Sequence, residues 1–140
     1  MTDMKFRITN DGNQQDINEI FEMLKEYNLA HLDGVDKVPL GVFYEEDNKK
    51  LAGLTGDTFG NWLCISYLVV SKELRGKHIG SELLNVAEDE AVKRGCKYVF
   101  VDTFSFQAPE FYTKHGYKEV FALEEYPVSG KRHYYIKELV

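Results

Sequence analysis

Residues 68–81 combine the residue types that bind an anionic group. An apolar run, Leu68 to Val70, leads through a basic, glycine-bearing turn into a helical pattern that begins near Gly80. The first N–H groups of a helix lack partners within it and lie at the positive end of its dipole, and glycine lets a phosphate approach the backbone. Lys72, Arg75 and Lys77 add positive charge. The segment predicts a phosphate site, although a solvated basic turn would also explain it.

This segment contains neither of the two common nucleotide-binding patterns, GxxxxGK[ST] or GxGxxG. It resembles the pyrophosphate loop of the GNAT superfamily of acetyl-CoA-dependent N-acetyltransferases: Arg or Gln, two residues, Gly, one residue, then Gly or Ala. Arg75 and Gly80 match, whereas His78 stands where the family usually has glycine. A side chain there either turns outward or lowers CoA affinity through backbone strain. If the imidazole contacts phosphate instead, affinity should rise as pH falls through its pKa, near 6.5 when unperturbed.

A second stretch, Ala108 to Tyr117, is similar to the family signature A-x-x-x-Y-x-K-x-G-[FY]. The two signatures occur in the expected order, and with the order of elements the resemblance covers nearly the whole chain. The wider run from Asp102 to Tyr117 looks like a subgroup of small bacterial members. Ser105 is a departure, because many relatives carry Asn at this position.

The resemblance implies that acetyl-CoA lies between two parallel strands that splay apart near Val70 and Thr103. Backbone groups of the first strand would pair with the pantetheine arm like an added strand, and the loop would bind the phosphates. No metal is expected, because His115 and His133 lack ligand spacing. The implied cofactor-binding residues are Leu68, Val69, Val70, Arg75, Gly76, Lys77, His78, Ile79, Gly80 and Ser81.

The resemblance also assigns catalytic roles. The amine attacks the thioester directly in a ternary complex, a backbone N–H stabilises the oxyanion, and Tyr112 is the general acid for the departing thiolate. Without the motif, Tyr112 would be read as a core residue of a short helix. Relatives often use a glutamate of the central strand as base, but residues 62–70 contain no acid. Asp57 is the candidate base in place of that glutamate and would act through water. A structural role as a turn residue beside Gly56 explains Asp57 equally well. Weaker candidates for the base are Tyr67, His31 and Glu26.

The elements that position these residues follow from hydrophobic periodicity and turn residues. The predicted order is β-α-β-β-β-α-β-α-β-β in one domain, residues 1–140, which indicates a mixed sheet with helices on both faces, of the α/β or α+β kind. The resemblance implies that this sheet is GNAT-like, with splayed parallel strands. Predicted strands are Phe6–Thr9, Leu40–Glu45, Leu51–Thr58, Trp62–Val70, Tyr98–Thr103, Tyr117–Leu123 and His133–Glu138. Predicted helices start after the N-cap Asn13, lie near Gly80 to Gly95, and span Ala108–His115. The strands Leu40–Glu45 and Leu51–Thr58 are joined as a hairpin by turn residues 47–50, and Tyr98–Thr103 is predicted to be buried. One face of the second helix is formed by Gly80, Leu83, Leu84, Ala87 and Ala91.

Charge limits the partners. The chain has 17 basic and 23 acidic residues, a formal net charge of −6, which argues against binding nucleic acid or an anionic membrane. Residues 1–60 hold 12 acids and 6 bases, so the whole excess lies there, where the resemblance places much of the acceptor side. This favours a cationic small-molecule or peptide amine, although a solvated helix face accounts for four of the acids. Aromatic strand residues leave a homodimer open.

Two isolated cysteines, Cys64 and Cys96, and an N-terminus without a signal-like apolar run indicate a reducing compartment, the cytoplasm. Two other functions are compatible with the sequence. A non-catalytic acyl-CoA-binding or sensing module would share the phosphate loop but would not need Tyr112. A nucleotide-binding α/β domain would be protected against heat by ATP or NAD rather than by CoA.

Overall fold

The computed structural model describes residues 5–29, 31–32, 34–105 and 107–140, which divide into two compact units. The first unit ends at Val35 and contains helix α1 (Gln14–Asn28). The second unit runs from Asp36 to Val140 and contains a six-stranded sheet, two helices and a short 3-10 turn, Lys72–Leu74. Its other elements are β1 (Lys37–Glu46), β2 (Lys49–Phe59), β3 (Trp62–Val70), α2 (Ile79–Lys93), β4 (Tyr98–Phe104), α3 (Pro109–Lys114), β5 (Lys118–Leu123) and β6 (Arg132–Glu138).

Helix α1 begins as the sequence predicts. The side-chain oxygen of Asn13 accepts hydrogen bonds from the backbone N–H groups of Gln15 and Asp16, at 3.0 and 3.1 Å, which satisfies two of the free donors of the first turn. The predicted strand Phe6–Thr9 is wrong, because residues 5–10 adopt no regular secondary structure. Four residues with two apolar side chains form a strand only when they pair with another strand, which is information that their own sequence does not carry.

The sheet order is β1-β2-β3-β4-β6-β5, and β3 with β4 is its one parallel pair in the part of the chain described. The expected mixed sheet with helices is therefore confirmed. The predicted hairpin between β1 and β2 turns at Asp47 and Asn48, whose φ angles of 51° and 64° are those of a two-residue type I′ turn. Cα pairing between β1 and β2 extends from Lys37 opposite Phe59 to Glu46 opposite Lys49.

Helix α2 packs on β1, β2 and β3 and supplies the centre of the core. Its buried side chains include the predicted apolar set, Leu83, Leu84, Ala87 and Ala91. Glu88 is buried beside them, which the apolar pattern did not predict. Its carboxylate accepts hydrogen bonds from the Tyr117 hydroxyl at 2.7 Å and from Lys137 Nζ at 2.8 Å. The buried charge is thereby compensated, as a carboxylate in a protein interior requires. Among the described residues, no helix is long and apolar enough to cross a membrane.

A β-bulge in β3 determines where the sheet opens. Thr55 of β2 lies opposite Tyr67, but the next residue, Gly56, lies opposite Ile65, so Ser66 is the extra residue in β3. A bulge bends its strand and redirects the side chains that follow. Gly56 is required at this point, since a Cβ atom there would lie 2.2 Å from the Cys64 carbonyl oxygen.

We predict that Gly56→Ala lowers the free energy of unfolding by at least about 2 kcal/mol, because backbone atoms must move to admit the methyl group. Gly53→Ala is the control in the same strand. Its Cβ would first meet the exposed ring of Phe43, at 3.0 Å, and this side chain can turn away. Denaturant unfolding of both variants measures the difference. Equal stability of the two variants would show that the bulge tolerates a side chain.

Candidate active site

A cleft of about 800 Å³ opens between the C-terminal halves of β3 and β4. The parallel ladder ends with Cys64 opposite Phe100, although β3 continues to Val70 and β4 to Phe104. Beyond that point the edges of the two strands that face each other have no ladder partner, so they can pair with an inserted extended group. The cleft is lined by residues 64–69 of β3, residues 100–104 of β4, Gln107, Tyr112 of α3 and Arg132 of β6.

Leu68 and Val69, two of the predicted cofactor residues, line this cleft. Val70, the third strand residue, is partly buried and packs against the core. Its carbonyl oxygen accepts a hydrogen bond from Arg75 Nε at 3.4 Å, so the arginine is held against the end of β3. Cys64 also lines the cleft, and burial raises the pKa of its thiol, which keeps it protonated and unreactive at neutral pH.

The loop before α2 contains two residues with left-handed backbone angles, Gly76 and His78. Gly76 has φ of 82°, and Lys77 and His78 lead into the helix, which begins at Ile79. His78 is the N-cap residue and adopts a left-handed conformation, with φ of 64° and ψ of 17°. Its side chain is exposed and makes no cap hydrogen bond. Glycine would adopt these angles without a steric cost, which explains why a glycine is usual at this position in the family that the loop resembles.

The first turn of α2 is fixed to α3 through one histidine. His115 Nδ1 lies 2.8 Å from the carbonyl oxygen of Phe111, and its Nε2 lies 2.8 Å from the Ser81 hydroxyl. A carbonyl only accepts, so Nδ1 donates, and in the neutral ring Nε2 accepts the hydroxyl proton of Ser81. Ser81, one of the predicted cofactor-binding residues, thus directs its hydroxyl at His115. A Cβ added at Gly80 would lie 3.5 Å from the Phe111 ring.

Tyr112 places a phenol in the wall of the cleft. Its side chain is 6% exposed and packs against the rings of Phe111, Tyr117 and Tyr135. No other described group bonds its hydroxyl. Burial, and then the negative charge of Asp102, raises the pKa of Tyr112 to about 12. The phenol is therefore fully protonated at neutral pH and able to donate a hydrogen bond into the cleft.

The candidate bases lie in different places. Asp57 is opposite Cys64 in the β2–β3 ladder and forms an ion pair with Lys37 at 4.0 Å, but it is not among the residues that line the cleft. Tyr67 lines the cleft with its side chain largely exposed, at 76%. Glu26 and His31 belong to the first unit, where both are exposed.

A charged pair that the sequence did not predict, Asp102 and Arg132, also lines the cleft. Arg132 Nε donates to Asp102 Oδ1 at 2.9 Å, and its Nη1 donates to the Tyr126 hydroxyl at 2.9 Å. The guanidinium also lies over the rings of Tyr126 and Tyr134, 5.2 and 5.3 Å from their centroids. Asp102 is the one acid among the lining residues. An aspartate inside a strand predicted to be buried was the available signal, because such a charge needs a partner.

The two motifs, the splayed strands and the cleft together define an acetyltransferase fold. The chain belongs to the acetyltransferase (GNAT) family, whose family model matches residues 10–117. It is 33% identical over 121 residues to the acetyltransferase Atu2258 of Agrobacterium fabrum, across 86% of this chain and 88% of that protein.

Two further comparisons agree with this family. The chain is 36% identical over 95 residues to the blasticidin-S acetyltransferase of Streptomyces morookaense, across 67% of this chain and 70% of that protein. A crystal structure assigned as an acetyltransferase from Agrobacterium tumefaciens superposes with a TM-score of 0.91 at 30% identity, across 96% of this chain and 99% of that one.

We predict that His78→Gly is more stable than His78→Ala by about 1 kcal/mol, because only glycine adopts φ of 64° without a clash of its Cβ. At an ordinary right-handed position the order would be reversed, since alanine restricts the unfolded chain more. Thermal and denaturant unfolding of the two variants give the comparison. A more stable alanine variant would contradict the left-handed conformation.

Proposed function

We propose that this protein transfers the acetyl group of acetyl-CoA to a primary amine by direct attack in a ternary complex. The observation that carries the proposal is the Tyr112 phenol, protonated and without a hydrogen-bond partner among the described residues, in the wall of a cleft between two splayed parallel strands. The cofactor's diphosphate would bind the loop from Arg75 to Ser81. Its pantetheine arm would pair with the free edge of β3 at Leu68 and Val69.

In the proposed reaction the neutral amine attacks the thioester carbonyl carbon, and the carbon–sulfur bond then breaks. Tyr112 stabilises the leaving thiolate. Because the pKa of the phenol is about 12 and that of a thiol is about 8.5, complete proton transfer from Tyr112 would cost roughly 5 kcal/mol. A hydrogen bond donated to the sulfur in the transition state has no such cost. Tyr112 therefore acts mainly as a donor to the sulfur, and the proton that finally reaches CoA comes from the acceptor nitrogen or from solvent.

The acceptor nitrogen must lose its protons. For an amine with a pKa of about 10.4, only about one molecule in 2,500 is neutral at pH 7. We propose Asp102 for this step alongside the predicted Asp57, since Asp102 lines the cleft. Arg132 holds Oδ1 of Asp102, and Oδ2 makes no hydrogen bond within the described chain, so this oxygen can accept a proton as the acceptor ammonium becomes the neutral amine.

The acceptor we propose is a cationic amine of a small molecule or peptide. The acidic excess of residues 1–60 supports this, and the blasticidin-S relative acts, by its name, on a small molecule. The test is a screen with acetyl-CoA over polyamines, aminoglycosides, amino acids and peptides with free N-termini, at low salt, followed by thiol release. If CoA binds but no amine is acetylated, the result supports the non-catalytic acyl-CoA-binding module instead.

With the best acceptor from that screen, Tyr112→Phe should bind CoA normally and lose about 100-fold or more in kcat, because the donor to the thiolate is gone. Calorimetry measures the binding and thiol release measures the turnover. Tyr98→Phe is the matched control. It also removes a phenol hydroxyl, but from the start of β4, where the ring packs against Trp62.

The pH profile supplies a second check on Tyr112. Since its pKa is raised to about 12, the donor should persist as pH rises from 7 to about 10, and the wild-type kcat should show no alkaline loss in that range. A Tyr112→Phe enzyme that keeps wild-type turnover across this range would remove Tyr112 from the mechanism.

Asp102→Asn should lower kcat about tenfold or more at pH 7, and the loss should shrink as pH approaches the pKa of the acceptor, where free amine becomes abundant. Asp57→Asn, assayed in parallel, compares the two candidate bases. Asp89→Asn, an exposed change on α2, is the control for loss of charge alone. If only Asp57→Asn shows the pH-dependent loss, the base is Asp57 and not Asp102.

A further inference from the structure

Ser105, His133 and Glu119 form a hydrogen-bonded series next to the cleft. The Ser105 hydroxyl lies 2.9 Å from His133 Nε2, and His133 Nδ1 hydrogen-bonds to Glu119 Oε1. The three residues come from different elements: Ser105 follows β4, Glu119 belongs to β5 and His133 to β6. The reaction proposed above uses none of them. The order of the groups, hydroxyl to imidazole to carboxylate, is the one that activates a serine as a nucleophile.

The hydrogen bonds determine which way protons can move. An ionised carboxylate only accepts, so His133 donates from Nδ1 to Glu119. In the neutral imidazole Nε2 then has a free lone pair and accepts the proton of the Ser105 hydroxyl. This is the tautomer in which histidine can remove a proton from serine as the serine oxygen attacks. The carboxylate stabilises the imidazolium that results.

Strand geometry positions the series. A bulge in β5 lies between Glu119 and Phe121, so Glu119 pairs with Tyr135 while Phe121 pairs with Tyr134. The bulge thereby directs the Glu119 carboxylate at His133. The side chain of His133 is 17% exposed and constrained by its strand. The backbone N–H of Ser105 donates to the carbonyl of Lys131 at 3.2 Å, which ties the end of β4 to the residue before β6.

Ser105 adjoins residues that line the cleft. It is exposed, and it lies in the chain between Phe104 and Gln107, which both line the cleft. The amide oxygen of Gln107 accepts hydrogen bonds from the Thr103 hydroxyl at 3.0 Å and the Phe104 N–H at 2.8 Å, which ties Gln107 to the end of β4. A nucleophile at the rim of a thioester cleft can reach the acyl group only when its own position is held.

We propose that Ser105, His133 and Glu119 form a second acyl-transfer centre, which hydrolyses acetyl-CoA when no amine is bound. The proposal rests on the proposed use of acetyl-CoA, since it assigns another nucleophile to the same thioester. Ser105 and His133 are its catalytic residues. Glu119 is a positioning residue that acts through His133.

The chemistry balances in two steps. In the first, Ser105 Oγ attacks the thioester carbonyl carbon, its proton passes to His133 Nε2, the carbon–sulfur bond breaks, and the leaving sulfur takes the proton from His133. The products are free CoA and acetyl-Ser105. In the second, water attacks the serine ester while His133 Nε2 takes a proton from the water. The carbon–Oγ bond breaks, Ser105 recovers its proton from His133, and acetate leaves.

The first experiment incubates the protein with acetyl-CoA and no amine, and measures free thiol, acetate and acetylation of the peptide that contains Ser105. We expect thiol and acetate in equal amounts, and a loss of about 100-fold or more in Ser105→Ala. Ser129→Ala, an exposed serine between β5 and β6, is the matched control and should behave as wild type. Unchanged release in Ser105→Ala overturns the proposal.

The second experiment does not depend on CoA binding. A fluorophosphonate, which forms a bond between phosphorus and an activated serine oxygen with loss of fluoride, should label Ser105 in the wild-type protein. His133→Asn should lose the label while keeping its thermal unfolding temperature. Glu119→Gln should lower kcat for hydrolysis about tenfold or more with KM unchanged, a split that a merely structural role would not produce.

The two proposals fail in different ways. If acetyl-CoA does not bind but the fluorophosphonate labels Ser105, the proposed acetyltransferase function is wrong and the activated serine stands. If CoA binds and amines are acetylated, but there is neither hydrolysis without amine nor labelling of Ser105, the hydrogen-bonded series has no catalytic role and this proposal is overturned.

Discussion

The parallel pairing of β3 with β4 ends after Cys64 and Phe100, although both strands continue beyond these residues. Buried strands normally pair along their whole length, because unpaired backbone groups are costly away from water. Here the bulge at Ser66 bends β3 away, and its antiparallel pairing with β2 resumes at Tyr67 and continues to Val70. One edge of β3 thus stays bonded to the sheet while the other is open to a ligand. The cleft, and with it the position of Tyr112 in its wall, depends on this separation.

Burial gives Tyr112 the properties that its proposed role requires. A phenol enclosed by three aromatic rings cannot ionise readily, so its pKa rises to about 12. The same packing holds the ring in place. Since the hydroxyl bonds no other described residue, its donor capacity is not used in the free protein. Such a group is better suited to stabilising charge that appears during a reaction than to delivering a proton outright.

The sequence predicted those features that depend on local pattern. The mixed sheet, the α2 stripe of Leu83, Leu84, Ala87 and Ala91, and the Asn13 cap follow from periodicity and side-chain chemistry. The strand at Phe6–Thr9 was predicted wrongly, because pairing cannot be read from four residues. The Asp102–Arg132 pair and the Ser105–His133–Glu119 series were not predicted. They join residues 30, 28 and 14 positions apart, and only the order β4-β6-β5 brings them together.

His115 links two parts of the site that the chain supplies separately. One of its ring nitrogens contacts Ser81 in the first turn of α2 and the other contacts Phe111, the neighbour of Tyr112. The loop that would bind a diphosphate and the residue that would face a thiolate therefore belong to one hydrogen-bonded piece. These two bonds fix the first turn of α2 relative to the helix of Tyr112. A ligand that reached both would fit only if its anionic end and its sulfur were the matching distance apart.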